Sequence, residues 1–269
     1  MKLKLNSKNA LLTVLLYLVF SFATAFLVVV FSGGSRSSAD KTIIDSVISR
    51  SLIGNIIVMI VLLFISLFVF KESKKDIFFE RKRFNLSKLY YLFPLASLVV
   101  PLFALFNVDF STYSLREILL VIVATIVIGV NEEVVTRGIT LVGLRNNKWD
   151  EWKAWVMTVV IFSLLHLVNV LGGGNLTILL VVVTGGTLWY VSRRVFNNLF
   201  VSIGLHALYD TAFYLLTGNY LVSETLPDHV LDIQLGSFLF LLVVSILFVI
   251  FGRGLLKNET TGWSYDETG

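Results

Sequence analysis

The residues best suited to do chemistry are two adjacent carboxylates inside an apolar segment. Glu132 and Glu133 lie in the hydrophobic run Ile118–Leu144, and Arg137 follows in the same run. A charged side chain at the centre of a bilayer costs about 3 kcal/mol on insertion scales, so each of these charges requires compensation. On a helix, Glu133 and Arg137 share a face and can form an ion pair. Glu132 points about 100° away on the same helix, which leaves its carboxylate free.

Two other apolar segments carry the remaining candidate residues. Phe162 and His166 are four residues apart in one segment, and His206 and Asp210 are four apart in another. A lone intramembrane histidine is often only a hydrogen bond between helices. At about 1.5 Å rise per residue, however, Glu132, His166 and His206 each lie about 20 Å from basic residues that flank their segments. Acid and imidazole groups at one depth indicate a shared polar cavity.

The composition predicts an integral membrane protein. The 269 residues are 56% hydrophobic and 15% charged, and the mean hydropathy is +0.84. This length and composition fit one membrane domain better than soluble domains. The net charge of +4 does not indicate a nucleic-acid partner, because the basic residues flank apolar segments and form no nucleic-acid motif. Cysteine is absent, which excludes disulfides and thiolate catalysis.

Eight apolar segments are predicted to cross the membrane, which gives an all-α polytopic fold. Most approach the ~20 residues that span the hydrocarbon core. The polar stretches Ser32–Arg50 and Gly218–Leu235 are predicted to be loops between spans. The predicted spans are Ala10–Phe31, Leu52–Phe70, Tyr90–Phe106, Ile118–Leu144, Ala154–Leu171, Leu176–Val195, Leu199–Leu216 and Gly236–Phe251.

These spans divide the chain into three predicted regions. Residues 1–117 hold the first three spans and a basic interfacial loop, and residues 118–216 form the core that carries the candidate residues. Residues 217–269 hold an external loop, the last span and a polar tail that we expect to be disordered.

The distribution of Lys and Arg predicts that both termini face the cytoplasm. Most basic residues lie near the N-terminus, in the cluster Lys71–Lys88, and around Arg145, Arg193 and Arg253. Cytoplasmic segments of membrane proteins are enriched in Lys and Arg, and every second connection between the predicted spans fits this rule. The cluster Lys71–Lys88 also contains phenylalanines, so we expect it to lie on anionic lipid headgroups, with docking of a partner protein as the alternative. The compact, cysteine-free chain favours a bacterial plasma membrane.

The three motifs together resemble those of a known family of intramembrane proteases. Glu-Glu-x-x-x-Arg at 132–137, Phe-x-x-x-His at 162–166 and His-x-x-x-Asp at 206–210 stand on three separate spans. This ordered set is similar to that of the CAAX protease and bacteriocin-processing (CPBP, or Abi) family, over residues 118–216. The resemblance implies a metal-free, glutamate-type endopeptidase that cleaves a membrane-associated peptide or protein. The processes implied are CAAX prenyl-protein processing, maturation of bacteriocins or signalling peptides, and bacteriocin self-immunity.

The resemblance also implies roles for individual residues. Glu132 is expected to be the general base that activates a water, and His166 is expected to position that water or the substrate. Glu133 and Arg137 are expected to hold the helix turn through their ion pair. Phe162 is likewise expected to support the structure of the site.

The third motif departs from the family pattern at its last residue. The resemblance implies that His206 and the residue at 210 stabilise the oxyanion, and many members have Asn at that position. An ionised Asp accepts hydrogen bonds and cannot donate one, whereas Asn can. Asp210 can instead orient His206 or keep it protonated, so a direct oxyanion role for Asp210 is in doubt.

The sequence leaves several other interpretations open. Glu132, His166 and His206 can supply three zinc ligands with water as the fourth, although no His-Glu-x-x-His helix is present. A non-catalytic family member can bind and regulate a membrane partner such as a sensor kinase. Transporters and proton pathways also use intramembrane Glu and His. A last alternative is that the Glu133–Arg137 pair is purely structural and only joins helices.

Overall fold

The fold is helical throughout the described part of the chain. The computed structural model describes residues 3–31, 43–70, 74–79, 87–171, 177–218, 220 and 225–256. Within these ranges the chain forms α-helices, π-helical and 3₁₀ segments, and two isolated β-bridges, Leu3 with Phe70 and Phe79 with Asn198. The prediction of an all-α fold is therefore confirmed.

Ten α-helices follow one another in these ranges. Two π-helical segments adjoin them: Ile65–Val69 extends α2, and Val134–Thr140 joins α5 to α6. The helices are α1 (Ser7–Phe31), α2 (Ile43–Phe64), α3 (Lys74–Phe78), α4 (Leu92–Phe106), α5 (Leu115–Glu133), α6 (Leu141–Asn146), α7 (Glu151–Leu171), α8 (Thr177–Phe196), α9 (Leu199–Thr217) and α10 (Asp228–Phe251).

Several of these helices can cross a membrane. Among the described residues, five stretches are long and apolar enough: Ser7–Thr24, Lys88–Phe106, Leu115–Asn146, Leu199–Thr217 and Asp228–Leu256. They correspond to five of the predicted spans, and the other three predicted spans coincide with α2, α7 and α8. Large apolar side chains on the outer surface, such as Phe106 and Leu115, are exposed, as contact with lipid requires. The chain is a polytopic membrane protein; the number of eight spans stays a prediction.

Two predicted loops are partly helical, which corrects the sequence analysis. Helix α2 begins at Ile43, inside the predicted loop Ser32–Arg50, and α10 begins at Asp228, inside Gly218–Leu235. Both helices extend beyond the apolar stretch, where hydropathy no longer reports a helix. Helix α10 starts directly after Pro227, a residue that tolerates a helix start because it has no N–H to pair. Most of Lys71–Lys88 and the tail after Lys257 lie outside the described residues.

Helix α5 packs against α2 and α9 in the bundle, and α7 packs against α8. A Cβ at Gly129 of α5 would lie 3.2 Å from the backbone oxygen of Ile203 in α9, so glycine permits this close approach. One helix turn away, the hydroxyls of Thr125 and Thr211 lie 2.7 Å apart. Small residues and hydroxyl pairs of this kind are common where membrane helices meet. They set the relative depth of α5 and α9.

Capping residues fix where these two helices begin. Ser114 and Glu117 form a reciprocal capping box at the start of α5. Asn198 caps α9 by accepting a hydrogen bond from the Phe200 N–H at 2.8 Å. Because each cap sets the first residue of its helix, the caps also set which side chains face the centre of the bundle further along.

Several basic chain segments meet at one end of the bundle. The Asn146 side chain at the end of α6 donates to the Leu5 carbonyl at 2.8 Å. Near the end of α8, Arg194 donates to the Leu255 carbonyl at 3.2 Å. Glu151 at the start of α7 accepts two hydrogen bonds from Arg145, at 2.9 and 2.5 Å. The N-terminus, the α6–α7 connection and the ends of α8 and α10 therefore lie on one side.

The contact between α1 and α6 gives a prediction about stability. A Cβ at Gly143 would lie 2.6 Å from Ala10 Cβ and 2.9 Å from the Asn6 backbone oxygen. We expect Gly143→Ala to lower the free energy of unfolding by about 1–3 kcal/mol, the usual cost of overpacking. Thermal unfolding of the protein in detergent, followed by circular dichroism, measures the change.

Gly236→Ala in α10 is the matched control. A Cβ at Gly236 has no heavy atom within 4 Å, so alanine there adds helix propensity without a clash. If Gly143→Ala unfolds at the same temperature as Gly236→Ala, the close packing of α1 on α6 is wrong.

Candidate active site

The Glu-Glu motif lies where α5 passes into the π-helical segment Val134–Thr140. All seven residues of this segment are buried. The Thr140 hydroxyl donates to the Val135 carbonyl at 2.7 Å, and the Thr136 hydroxyl donates to the Glu132 carbonyl. These hydroxyls provide donors for carbonyl oxygens at the point where the α-helical register changes. Short π-helical segments of this kind are frequent at functional sites.

The predicted ion pair between Glu133 and Arg137 is present and fully buried. Arg137 Nη1 lies 2.9 Å from Glu133 Oε1, and both side chains are 0% exposed. The guanidinium also donates to Thr136 Oγ1 at 2.9 Å and to the Gly186 carbonyl of α8 at 2.8 Å. Its Cζ lies 4.3 Å from the centre of the Phe162 ring in α7. Arg137 thereby joins α5 to α7 and α8.

Glu132, the carboxylate that was predicted to be free, faces both histidines. Its Oε2 lies 3.6 Å from His166 Nε2 and 3.7 Å from His206 Nε2, and the side chain is 14% exposed. These distances are longer than a direct hydrogen bond, and a bridging water fits such a gap. Oε2 is buried and has no hydrogen-bond partner among the described residues. The arrangement presents an oxygen acceptor and two imidazole nitrogens to one small space.

The other ring nitrogen of each histidine has a fixed partner. His166 Nδ1 lies 2.9 Å from the Phe162 carbonyl oxygen, and His206 Nδ1 lies 3.2 Å from Glu133 Oε1. A carbonyl oxygen only accepts, so His166 Nδ1 is the donor in its hydrogen bond. The Glu133 carboxylate also only accepts, so His206 Nδ1 is the donor in its hydrogen bond to Glu133. Both rings therefore turn Nε2 towards Glu132.

Asp210 lies beside the same nitrogen of His206 that faces Glu132. The distance from Asp210 Oδ2 to His206 Nε2 is 3.5 Å. The carboxylate that holds the opposite nitrogen is Glu133, so Glu133 orients the ring through Nδ1. Trp189 of α8 stacks on the His206 ring, with centroids 4.0 Å apart and an angle of 10° between the planes. His206 is thus held from three directions.

The three residues that were expected to share a cavity, Glu132, His166 and His206, all line one, together with Phe162 and Asp210. The cavity has a volume of about 290 Å³ and includes Glu132, Phe162, His166, His206 and Asp210 in its wall. Glu133 and Arg137 lie behind this wall, in the ion pair. The motif residues of α5, α7 and α9 therefore come together at one place in the bundle.

The cavity wall also contains residues that the sequence analysis did not predict. Gly185 and Trp189 come from α8, Tyr209 and Tyr214 from α9, and Asn55 from α2. The pair Gly185-Gly186 inside an apolar span was an available signal of close approach. A Cβ at Gly186 would lie 2.9 Å from Arg137 Nη2, so glycine is required where the guanidinium reaches the backbone. Asn55 was detectable as an isolated amide inside a predicted span.

Glu132, His166 and His206 are the zinc ligands of the alternative interpretation. Within the described ranges, no group of three or more His, Cys, Asp or Glu side chains is arranged to hold a metal ion. His206 Nε2 has Asp210 as well as Glu132 beside it.

The Arg137 contacts give a prediction about the ion pair. Arg137→Ala leaves the buried Glu133 carboxylate without its cation, and breaking a buried pair in this way costs about 3–5 kcal/mol. We expect the amount of folded protein in the membrane and its unfolding temperature to fall together.

Arg116→Ala is the control for loss of a positive charge, because Arg116 is exposed near the start of α5. Arg137→Lys keeps the charge but not the fork that reaches both Glu133 and Gly186, so an intermediate stability is expected. An Arg137→Ala protein as stable and abundant as Arg116→Ala would disprove the structural role of the pair.

Comparison with known proteins adds one finding to this geometry. The family model described as type II CAAX prenyl endopeptidase Rce1-like matches residues 114–212. The searches of curated proteins and of solved structures found no match. The matched stretch begins at the cap of α5 and contains all three motifs, and the family's description implies a protease. Residues 114–212 are therefore similar to the type II CAAX prenyl endopeptidase family, the family that the three motifs indicated.

Proposed function

We propose that this protein is an intramembrane endopeptidase that hydrolyses a peptide bond in a membrane-associated peptide or protein. The observation that carries the proposal is the position of Glu132. Its free Oε2 lies 3.6–3.7 Å from two imidazole nitrogens in the wall of a cavity within an apolar bundle. A carboxylate surrounded by apolar helices and facing a water-sized gap is suited to general-base catalysis.

In the proposed reaction, Glu132 accepts a proton from water as the water oxygen attacks the carbonyl carbon of the scissile peptide bond. The carbonyl oxygen becomes an oxyanion, and a donor beside it stabilises the developing charge. The proton on Glu132 then passes to the departing amide nitrogen as the carbon–nitrogen bond breaks. The products are a carboxylate and an amine, and the base returns to its starting state.

The two histidines have different parts in this proposal. His166 Nε2 holds the water beside Glu132, because its Nδ1 is occupied by the Phe162 carbonyl. His206 Nε2 faces the substrate, and an N–H at that position donates to the oxyanion. The Asp210 carboxylate lies 3.5 Å from that nitrogen and places a negative charge beside the donor. Glu133, Arg137 and Phe162 keep the two rings and the catalytic carboxylate in place.

The proposal includes the topology predicted from the sequence. It has eight spans in a bacterial plasma membrane, with both termini in the cytoplasm. The grouping of basic segments at one end of the bundle supports this orientation. The peptide substrate then reaches the cavity within the bilayer. The family's description as prenyl endopeptidases supports a lipid-modified CAAX peptide as the first substrate to test, followed by bacteriocin-like and signalling peptides.

The first functional prediction concerns the general base. Glu132→Gln keeps the shape of the side chain and removes the proton acceptor, so we expect hydrolysis to fall by about 10²–10⁴-fold. His206→Ala should lower kcat by about 10²–10³-fold through loss of an oxyanion donor. The measurement uses the full chain in phospholipid vesicles with internally quenched peptides, one farnesylated at a C-terminal CAAX sequence and one unmodified and membrane-embedded.

Asp232→Asn is the control, because it makes the same type of change at an exposed site in α10. Product should be identified by mass spectrometry of the new termini. If Glu132→Gln cleaves at the wild-type rate, Glu132 is not the base. If it fails to cleave but fully restores the phenotype of a deletion strain, the protein acts by binding a membrane partner such as a sensor kinase.

A second prediction distinguishes the glutamate mechanism from a zinc mechanism. A carboxylate-activated water needs no Lewis acid, so we expect cleavage to be unchanged by 1,10-phenanthroline and by EDTA. Metal analysis of the purified chain should find less than one zinc per protein. Loss of cleavage that zinc alone restores would instead support Glu132, His166 and His206 as zinc ligands.

A further inference from the structure

The third motif lacks one donor that the proposed reaction needs. An oxyanion is stabilised by donors about 2.7–3.1 Å away, and the ionised Asp210 carboxylate can only accept. Its Oδ2 lies 3.5 Å from His206 Nε2, so a negative charge stands beside the nitrogen that would donate to the oxyanion. A second, uncharged donor in the cavity would remove this conflict.

Asn55 of α2 is in the right place to be that donor. It lies in the wall of the cavity that contains Glu132, His166 and His206, although α2 is outside the residues that the family model matches. Its side-chain amide has no hydrogen-bond partner anywhere in the described ranges, while its backbone carbonyl accepts from Asn131. A carboxamide without a hydrogen-bond partner in those ranges, on a residue that lines the same cavity as the base and both histidines, is an available ligand for a peptide.

The backbone of Asn55 is hydrogen-bonded to the residue that directly precedes the Glu-Glu motif. Asn131 Nδ2 donates to the Asn55 carbonyl at 2.9 Å, and Asn131 directly precedes Glu132 and is 1% exposed. This hydrogen bond links two helices that already pack along their length. The Asn55 amide is therefore held in register with the catalytic carboxylate, as a positioned donor requires.

The chemistry of a carboxamide fits this position. It has two N–H donors and one carbonyl acceptor, so it complements a peptide unit, and it adds no charge beside Glu132 and Asp210. The other uncharged donors in the cavity wall are the hydroxyls of Tyr209 and Tyr214 on α9 and the indole N–H of Trp189, whose ring is stacked on His206. The Tyr209 ring packs on Phe213 with centroids 4.6 Å apart, and this contact holds the ring against the surface of α9.

We propose that the Asn55 side-chain amide donates a hydrogen bond to the carbonyl oxygen of the scissile peptide bond and to the oxyanion that forms there. It supplies from α2 the donor that position 210 lacks in this chain. This inference rests on the proposed function, since it assigns Asn55 to the same peptide hydrolysis. Asn55 is then a catalytic residue outside the three motifs.

The test compares kcat and KM for the full chain in vesicles, with a peptide that the wild type cleaves. Asn55→Ala and Asn55→Asp both remove the donor, and we expect each to lower kcat by about 10²–10³-fold with little change in KM. Asn107→Ala makes the same change at the exposed residue that directly follows α4 and should cleave at the wild-type rate. The Asn131 hydrogen bond goes to a backbone oxygen, so Asn55→Ala should keep the wild-type unfolding temperature, whereas Asn55→Asp adds a charge to the cavity that holds Glu132 and Asp210 and should lower that temperature.

The decisive variant combines Asn55→Ala with Asp210→Asn. Asn at 210 can donate to the oxyanion from α9, so the double variant should recover at least about tenfold of the kcat that Asn55→Ala loses. A packing defect in α2 would not be repaired by a change in α9. Failure of Asp210→Asn to restore kcat would overturn the donor role.

The remaining outcomes separate this inference from the proposed function. Wild-type kcat in Asn55→Ala together with an inactive Glu132→Gln overturns the role of Asn55 and leaves the protease in place. Loss of kcat in Tyr214→Phe with none in Asn55→Ala assigns the donor to Tyr214 and also overturns it. A wild-type chain that cleaves no peptide of the panel overturns the proposed function, and the inference with it.

Discussion

The buried pair between Glu133 and Arg137 is the interaction on which the rest of the site depends. Both side chains are 0% exposed, and their charged atoms are 2.9 Å apart. Two charges without access to water are stable only when each has a partner and further hydrogen bonds. The guanidinium finds these in Thr136 and Gly186, and Glu133 Oε1 also faces His206 Nδ1. One ion pair thus positions three helices and the His206 ring.

The two adjacent glutamates have opposite surroundings, and this difference makes one of them available for chemistry. Glu133 Oε1 is held by the Arg137 guanidinium and faces His206 Nδ1, although its buried Oε2 has no hydrogen-bond partner in the described part of the chain. Glu132 has no hydrogen-bond partner for Oε2 in the described part of the chain, and its side chain is 14% exposed towards the cavity. Identical side chains one residue apart therefore have different surroundings because the helix turns them about 100° from each other.

Helices outside the family-matched stretch complete the surroundings of the site. Helix α2 packs along α5 and contributes Asn55 to the cavity wall, and α1 packs on the π-helical segment and α6. The close approach of α1 to Gly143 leaves no room for a side chain there. In a membrane, where apolar surfaces do not drive helices together, such close contacts and interhelical hydrogen bonds supply much of the association. The motif helices are held by neighbours whose sequences carry no motif.

The sequence alone determined the all-α fold, most span boundaries and the identity of the motif residues. Apolar runs and four-residue spacings are local properties, and they predicted the Glu133–Arg137 pair and the one depth shared by Glu132 and the two histidines. Only the tertiary structure decided that Glu133, and not Asp210, contacts His206 Nδ1, that α5 ends in a π-helical segment, and that Asn55 enters the cavity. It also showed that α2 and α10 start inside predicted loops. These features depend on contacts between residues far apart in the chain, and spacing within one helix carries no information about them.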